Sequence, residues 1–589
     1  MTRVIETEVL VIGGGGAGAR AALEAHAAGA KVTLVVKGTF GITGVRGSGA
    51  TGYRGNGRPL HLFSGPKMIL KSEDQAMSYR RVPLQPQEEQ DVYFERAIQA
   101  GLGMADRRLT KILVNEAPEA KHALESWRLL LEKSPHIESL IAPMPGFAYA
   151  IKNIPEIDVL EEMMITGLLT QGGVCNGAVG LEEISGEPVL LKAKSTIIAT
   201  GGSGQLFMLN FHPSCITGDG YALGYETGAE LINMEFGQVF IATVYPTIDT
   251  VPLTVWKSHP KILNVNGDEF VQNYLLQGVT LNECMEEKLN HGPFSSRDVS
   301  RYLDIAMVKE TAAGRANEHN AFYLETDGLK PNEREGLDHW QHHWQKEWLR
   351  YRGIDLRKEY IEVNVAFHCS NGGLRIDENG QTTVPGLYAV GETAAGPYGA
   401  DRLGGAMMTS SQVFGARAGR HAAANAKATK QLLGVNDDRV NAHLDRINNI
   451  KRCSGNQKPE QLIRILEKIA WENLLVVRTK EGLIEFLETI QRIRNSMLHQ
   501  LSVEGTGDLI KALELNNLLQ AGEIIGRAAL MRTESRGSHY RDDFPNRDDA
   551  NWLHSITVKK VQGEMKLGAV KLDEGWQSDP DDLKGLWWG

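Results

Sequence analysis

Five cysteines among 589 residues are few, scattered and odd in number. Cys175, Cys215, Cys284, Cys369 and Cys453 form no Cys-x-x-Cys pair, which argues against a disulfide framework, a zinc ribbon and a self-held iron–sulfur cluster. No apolar run approaches the roughly 18 residues that a membrane-spanning helix needs. Basic residues are not in excess. The chain carries 63 Lys and Arg against 73 Asp and Glu, a formal net charge of −10. That balance speaks against nucleic acid as a partner, because phosphate binding needs a basic surface. The opening "MTRVIETEVLVIGG" enters a strand pattern at once, with no apolar signal run ahead of a cleavage site. These absences predict a reduced, cytoplasmic, soluble enzyme, or a soluble subunit peripheral to a membrane complex.

The composition is that of an ordinary globular protein, 42% hydrophobic and 23% charged. The length predicts roughly two to four domains. The most informative stretch is "TEVLVIGGGGAGARAALEAHAAGAKVTLVVKG", residues 7–38. Val9 to Ile12 reads as a buried strand, an Ala-rich helix follows, and Lys31 to Val36 reads as a second strand. Gly13, Gly15 and Gly18 fit G-x-G-x-x-G between strand and helix, so Gly13, Gly14, Gly15, Gly16, Ala17 and Gly18 are candidates to cradle a pyrophosphate at the helix N-terminus. The second strand lacks the acid that usually holds a ribose. Lys37, Gly38 and Thr39 are expected to hold it through their backbone. Two later apolar strands end in glycine turns, at Thr200-Gly201-Gly202 and at Gly391-Glu392. Three such strand ends, spread along the chain, suit a long cofactor threaded through one domain and favour FAD over a nicotinamide nucleotide.

With "TGDGYALGYETGAELINMEF" (217–236), "SSRDVSR" (295–301), "AFHCSNGGLRIDENGQTTVPGLYAVGE" (366–392), "YGADRLGGAMMTSSQVFG" (398–415) and "RTESRGSHYRDDFPNRDDANW" (532–552), these segments resemble the flavoprotein subunits of succinate dehydrogenase and fumarate reductase, a family that includes L-aspartate oxidase. The resemblance runs nearly end to end. It implies an α/β fold: a Rossmann-like FAD-binding domain with an inserted α+β capping domain and a C-terminal helical domain. The FAD-binding domain is expected at 1–236 and 353–435, leaving near Phe236 and returning near Val365. The capping domain is expected at 237–352 and the helical domain at 436–540. A tail at 541–589 carries a hairpin-like segment that alternates around Gly563.

The resemblance also assigns roles. Arg297 matches the arginine that passes a proton to or from the substrate carbon. Ser295 stands three residues before Asp298, a capping-box spacing that predicts Arg297 in the first turn of a helix. Arg402 matches the arginine that grips a carboxylate beside the flavin, His368 a histidine that binds a carboxylate, and Thr254 a threonine that contacts one. Glu392 and Asp219 match FAD contacts. Met407 and Met408 replace the family's Ser-Leu at a helix start whose backbone N–H groups face the flavin. Gly47, Ser48 and Gly49 lie in the stretch after the second strand that follows the cofactor. Read from residues alone, each has a plainer explanation: Arg297 and Arg402 as partners of Asp298 and Asp401, His368 as a loop hydrogen-bonder. Cys369 has no partner pattern for thiol catalysis and reads as a bystander.

Several positions depart from the family. Val255 replaces a relay glutamate, and Phe240 falls where a second carboxylate-binding histidine is expected. Tyr245, Lys257 and His259 are polar replacements within reach by sequence. Residues 38–53 contain no histidine to tether the flavin, so FAD is expected to be noncovalent. His339 and His343 have helical spacing, but Trp340, Trp344 and Trp348 share it. The segment therefore reads as a packing stripe and no metal is expected.

The expected reaction is hydride transfer between flavin N5 and a carbon next to a carboxylate, as α,β-dehydrogenation or alkene reduction. The substrate is a small carboxylate or other anion, but not plain succinate or fumarate. Three alternatives stay open: an electron-transfer subunit served by a separate iron–sulfur protein, an aspartate-oxidase-type enzyme, and a flavin-binding protein without catalysis. Homo-oligomerisation is left open.

Overall fold

The computed structural model describes residues 3–41, 53–54, 58–59, 87–128, 143–245, 248–251, 253–325 and 361–570. The apolar run near the N-terminus becomes β1 (Arg3–Ile12). Helix α1 (Gly16–Ala27) and β2 (Val32–Val35) follow. β1 pairs in parallel with β2 on one side and with β3 (Pro188–Ile198) on the other. A parallel strand covered on both faces must be apolar on both faces, and Val9, Leu10 and Val11 are fully buried. The seven-stranded sheet is extended by Ile157–Leu160 beyond β2, and by the antiparallel strands Val174–Glu182 and Met163–Gln171 beyond β3. Leu387–Ala389 also pairs in parallel with β3. The three predicted strand ends therefore lie side by side.

Among the described residues, a second sheet of five antiparallel strands starts at β4 (Gly237–Tyr245). Beyond it come helix α2 (Leu281–Asn290), capped by a reciprocal Thr280–Glu283 capping box, and β5 (Ile361–Ser370), which pairs along β4. The chain thus rejoins the first sheet at Leu387. The sequence placed the return near Val365, but the backbone hydrogen bonds of Ile361–Ser370 are spent in the second sheet.

Helix α3 (Ala406–Ala428) returns to the first sheet and lies on α1. The contact is close because its inner face is small. A Cβ at Gly419 would meet the Ala21 carbonyl oxygen at 2.4 Å. Helices Asp437–Lys451, Pro459–Asn473 and Lys480–Arg492 follow, and then α4 (Thr506–Met531). Leu483, Phe486 and Ile490 form a fully buried stripe in the third of them. Ser555–Val561 and Glu564–Val570 form an antiparallel hairpin turned at Gln562 and Gly563, both left-handed, and the hairpin pairs with Leu231–Ile232.

The segment "RTESRGSHYRDD" docks through buried charge. Arg532 is fully buried between Glu235 at 2.8 Å and Glu534 at 2.9 Å. Arg536 is held by Glu534 at 2.7 Å, and the backbone oxygen of Glu235 accepts from Arg478 at 2.8 Å. The C-terminal segment is thereby tied to the residues that lead into β4. Removing one member of a buried pair leaves a charge without compensation, a loss of about 3–5 kcal/mol. Glu235→Ala is therefore expected to lower the free energy of unfolding, measured by urea titration, by an amount of that order, and Glu235→Gln, which keeps a hydrogen-bond acceptor, by less.

Candidate active site

The glycine motif forms a cradle. Gly13 is left-handed, and a Cβ there would meet the Ala199 carbonyl oxygen at 2.3 Å. One at Gly18 would meet the Gly13 oxygen at 1.9 Å. Gly15, the N-cap of α1, faces open space with no atom within 4 Å of its would-be Cβ, and no side chain caps the helix. The N–H groups at the start of α1 thus open into a cleft. Gly13, Gly14, Gly15, Gly16, Ala17, Lys37, Thr200, Gly201, Asp219, Glu392, Met407 and Met408 line it. Met407 and Met408 belong to the first turn of α3, which also has no side-chain cap. Two uncapped helix starts and a largely apolar lining fit a dinucleotide with its diphosphate at α1.

Gly18, Gly38, Thr39, Gly202 and Arg402 do not line this cavity. Gly202 acts by being small, since a Cβ there would strike the Glu392 carboxylate at 2.4 Å. Gly47, Ser48 and Gly49, the side chain of Thr254 and the Trp/His stripe at 337–348 lie outside the described residues.

Lys37 differs from expectation. Its side chain, not only its backbone, is engaged. The ammonium pairs with Asp219 at 3.0 Å and Glu514 at 2.8 Å, and donates to Thr217 Oγ1 at 2.9 Å. Burial works against the charged form, but the two carboxylates outweigh it and raise the lysine pKa. Glu514 comes from α4, so the lysine beside the cavity is paired from far along the chain. Residue spacing carries no sign of that. Sequence reasoning also missed His212, whose Nε2 lies 3.0 Å from Glu392 Oε2. The other Glu392 oxygen accepts from the Ser370 N–H at 2.9 Å, which couples the cavity to the end of β5.

His368 owes its aim to a register shift. Cys369 pairs with Gln238 and Phe367 with Val239, so His368 is the extra residue of a β-bulge. Its ring lies edge-on to Phe240 at 4.8 Å and to Phe211 at 5.6 Å. Phe240 therefore stands directly against His368, and Val255 is buried.

Cys369, expected to be a bystander, is the partner of Arg402. It accepts from Arg402 Nη2 at 3.0 Å and lies 3.5 Å from Gln238 Oε1. Burial pushes its thiol up to about 11 in spite of the arginine, so it stays protonated and is no nucleophile. Arg402 is buried, donates to the Leu403 carbonyl at 3.3 Å, and leaves Nε without a partner among the described residues.

Arg297 sits outside the predicted helix. The helix begins at Arg301 with Ser300 as its N-cap. Asp298 does not close a box with Ser295, because its Oδ1 accepts from the Ser300 N–H at 3.0 Å and from Ser300 Oγ at 2.6 Å. Arg297 therefore occupies the preceding turn, with Nε 3.8 Å from Asp298 Oδ2. His291, at the end of α2, links the two arginine-bearing loops. Its Nδ1 is 3.2 Å from Asp298 Oδ2 and its Nε2 is 3.4 Å from Asp401 Oδ2. Asp401 Oδ1 accepts from the Arg402 N–H and from Gln238 Nε2, both at 2.8 Å. Burial drives the Asp298 carboxyl up, but the His291 hydrogen bond, the imidazolium charge present at such low pH and the charge of Arg297 outweigh it and hold it at about 2. The arrangement gathers Arg297, His368 and Arg402 through their immediate neighbours. Tyr245 is drawn away and stacks on His319 at 4.6 Å.

Among the described residues, no helix is long and apolar enough to cross a membrane. Residues 8–57 and 143–408 match the model of an FAD binding domain, and residues 464–577 that of the fumarate reductase flavoprotein C-terminal region. A fumarate reductase (CoM/CoB) subunit of Methanothermobacter marburgensis is 30% identical, over 96% of this chain and 100% of that one. The L-aspartate oxidase of Streptomyces coelicolor is 26% identical, over 94% and 92%. Among solved structures, Mycobacterium smegmatis Sdh1 in complex with UQ1 superposes with a TM-score of 0.75 at 23% identity, covering 99% of this chain and 96% of that one. With the cradle, the cavity and these matches in place, the chain belongs to the succinate dehydrogenase and fumarate reductase flavoprotein family and is an FAD-dependent oxidoreductase.

Proposed function

We propose that the enzyme moves a hydride to or from a carbon next to a carboxylate or similar anion, by α,β-dehydrogenation or the reverse alkene reduction. The observation that carries this reading is that one buried imidazole, His291, lies between Asp298 and Asp401, the carboxylates next in sequence to Arg297 and Arg402. FAD, when bound, supplies the hydride acceptor or donor at its N5. The absence of histidine from residues 38–53 supports FAD held without a histidine tether.

Arg402 grips the anion. Its planar fork suits a carboxylate, and burial strengthens the pair by excluding water. Its orientation is set by the Cys369 sulfur and the Leu403 carbonyl. His368, aimed by the bulge, offers a second contact. Arg297 holds the proton delivered to, or taken from, the neighbouring carbon. Thr254 is a further candidate contact by resemblance. The positions where the resembled family carries a second carboxylate-binding histidine and a relay glutamate are apolar, for Phe240 packs edge-on to His368 and Val255 is buried. An ionised carboxylate there would be desolvated without a partner. The substrate is therefore one whose far end is not a free carboxylate, which sets it apart from succinate, fumarate and aspartate.

A second reading is favoured by the name of one relative, a reductase subunit: the chain passes electrons to a separate protein such as an iron–sulfur subunit. Co-purification of an iron-containing polypeptide supports that reading, whereas rapid air reoxidation of the isolated reduced chain supports an aspartate-oxidase-type enzyme.

The deciding experiment is a screen of saturated and unsaturated mono- and dicarboxylates for bleaching or reoxidation of the flavin. At least one acid with an apolar far end is expected to respond, and silence towards every anion overturns the proposal. Arg297→Ala is expected to lower kcat by about 10²–10⁴-fold, the usual worth of a positioned proton donor, with FAD content unchanged. Unaltered turnover would remove Arg297 from the mechanism. Arg402→Lys keeps the charge and loses the fork. It is expected to weaken anion binding by roughly 1.5–3 kcal/mol, the scale of a charged hydrogen bond, read by titrating the flavin spectrum.

A further inference from the structure

His291 is buried between two carboxylates that it cannot satisfy while neutral. A neutral imidazole carries one N–H, yet Asp298 Oδ2 is hydrogen-bonded to one ring nitrogen at 3.2 Å and Asp401 Oδ2 lies 3.4 Å from the other, close but not aligned as a hydrogen bond. One nitrogen must then turn a lone pair towards a carboxylate oxygen. An imidazolium donates to both.

The wider charge balance keeps the imidazole neutral in the free protein. Burial and the nearby Arg297 push its pKa down, against the pull of Asp401 and Asp298. The other titratable groups around it are accounted for. On α2, Lys288 pairs with Asp304 of the following helix at 2.6 Å. Cys284 is pushed up to about 11 by burial. Glu287, one turn before His291, has its carboxyl raised by burial although Arg297 pulls it down. Arg301 donates to the Ser296 and Asp298 carbonyls. Arg402, on the last element, turns its side chain to Cys369 and only its backbone N–H to Asp401. The cationic charge that opposes protonation of the ring is that of Arg297, a group assigned above to the substrate.

We propose that His291 is a positioning residue that takes up one proton when an anion pairs with Arg297 and Arg402, its imidazolium then bridging Asp298 and Asp401. The inference rests on the anion-site reading given above. The anion offsets the arginine charge that opposed protonation. One proton passes from solvent to the ring, and no electron changes place. The bridge then fixes the carboxylate beside Arg297 and the carboxylate that holds the Arg402 backbone, so both arginines are locked once the anion has arrived. By linkage the anion binds more tightly as pH falls through the window between the free and bound imidazole pKa values, and more weakly as pH rises through it.

The test uses the full chain reconstituted with FAD and two probes, malonate and propionate, followed through the flavin spectrum and by calorimetry in buffers of different ionisation heat. In the wild type, a responding probe is expected to bind with uptake of close to one proton, and its Kd to weaken by up to about tenfold per pH unit inside that window. His291→Gln is expected to retain FAD and bind the probe with a flat pH profile and uptake near zero. Asp401→Asn, which removes one of the two facing carboxylates, is expected to reduce uptake likewise. Binding without proton uptake in the wild type, or an unchanged pH slope in His291→Gln, overturns the inference while leaving the anion site standing. Silence of the flavin towards both probes counts against the anion site and removes this inference with it. The wild-type calorimetry decides the matter even where a variant fails to fold.

Discussion

The pairing of β4 with β5, displaced by one residue at His368, governs the geometry of the site. A regular ladder sends alternate side chains to opposite faces. The extra residue breaks that alternation, so His368 turns towards Phe240 and Phe211 while Cys369 meets Arg402 and Gln238. Gln238, on the facing strand, holds Asp401, and Asp401 holds the Arg402 backbone. One slip in register thus sets the place of an imidazole, a thiol and a guanidinium drawn from separate stretches of chain.

Buried charge is the second constraint. Lys37 with Asp219 and Glu514, Arg532 with Glu235 and Glu534, and His291 with Asp298 and Asp401 each join segments remote in sequence. Ionised groups taken out of water are costly unless paired. Each cluster is therefore sensitive to the loss of any one member, and each holds its segments in one arrangement. The cluster at Lys37 secures the cofactor cavity from α4. The cluster at Arg532 secures the entry to β4. The one at His291 differs because its protonation is open to change.

Much of the architecture was legible because it is local. Val9–Ile12, the glycines at 13–18 and the Ala-rich helix are contiguous, and Gly13 and Gly18 are each required by a close backbone approach. The Ala199 carbonyl that excludes a side chain at Gly13 belongs to another strand end singled out for its own Thr-Gly-Gly turn. Leu483, Phe486 and Ile490 recur at helical period, a local pattern, and all three are fully buried. Legibility failed where two local rules competed. Ser295 and Asp298 have capping-box spacing, yet Asp298 is claimed by Ser300 and His291, and the helix waits until Arg301.

By itself the sequence determined the cofactor cradle, the alternation of strands and helices, and the residue types available for chemistry, because those follow from contiguous spacing and backbone sterics. Only the tertiary structure decided that Glu514 answers Lys37, that Cys369 carries Arg402, that Phe240 closes on His368, and that His291 spans two carboxylates. Those pairings depend on strand register and on the packing of remote segments. They also depend on the need of each buried charge for a partner, and no spacing along the chain encodes which partner that will be.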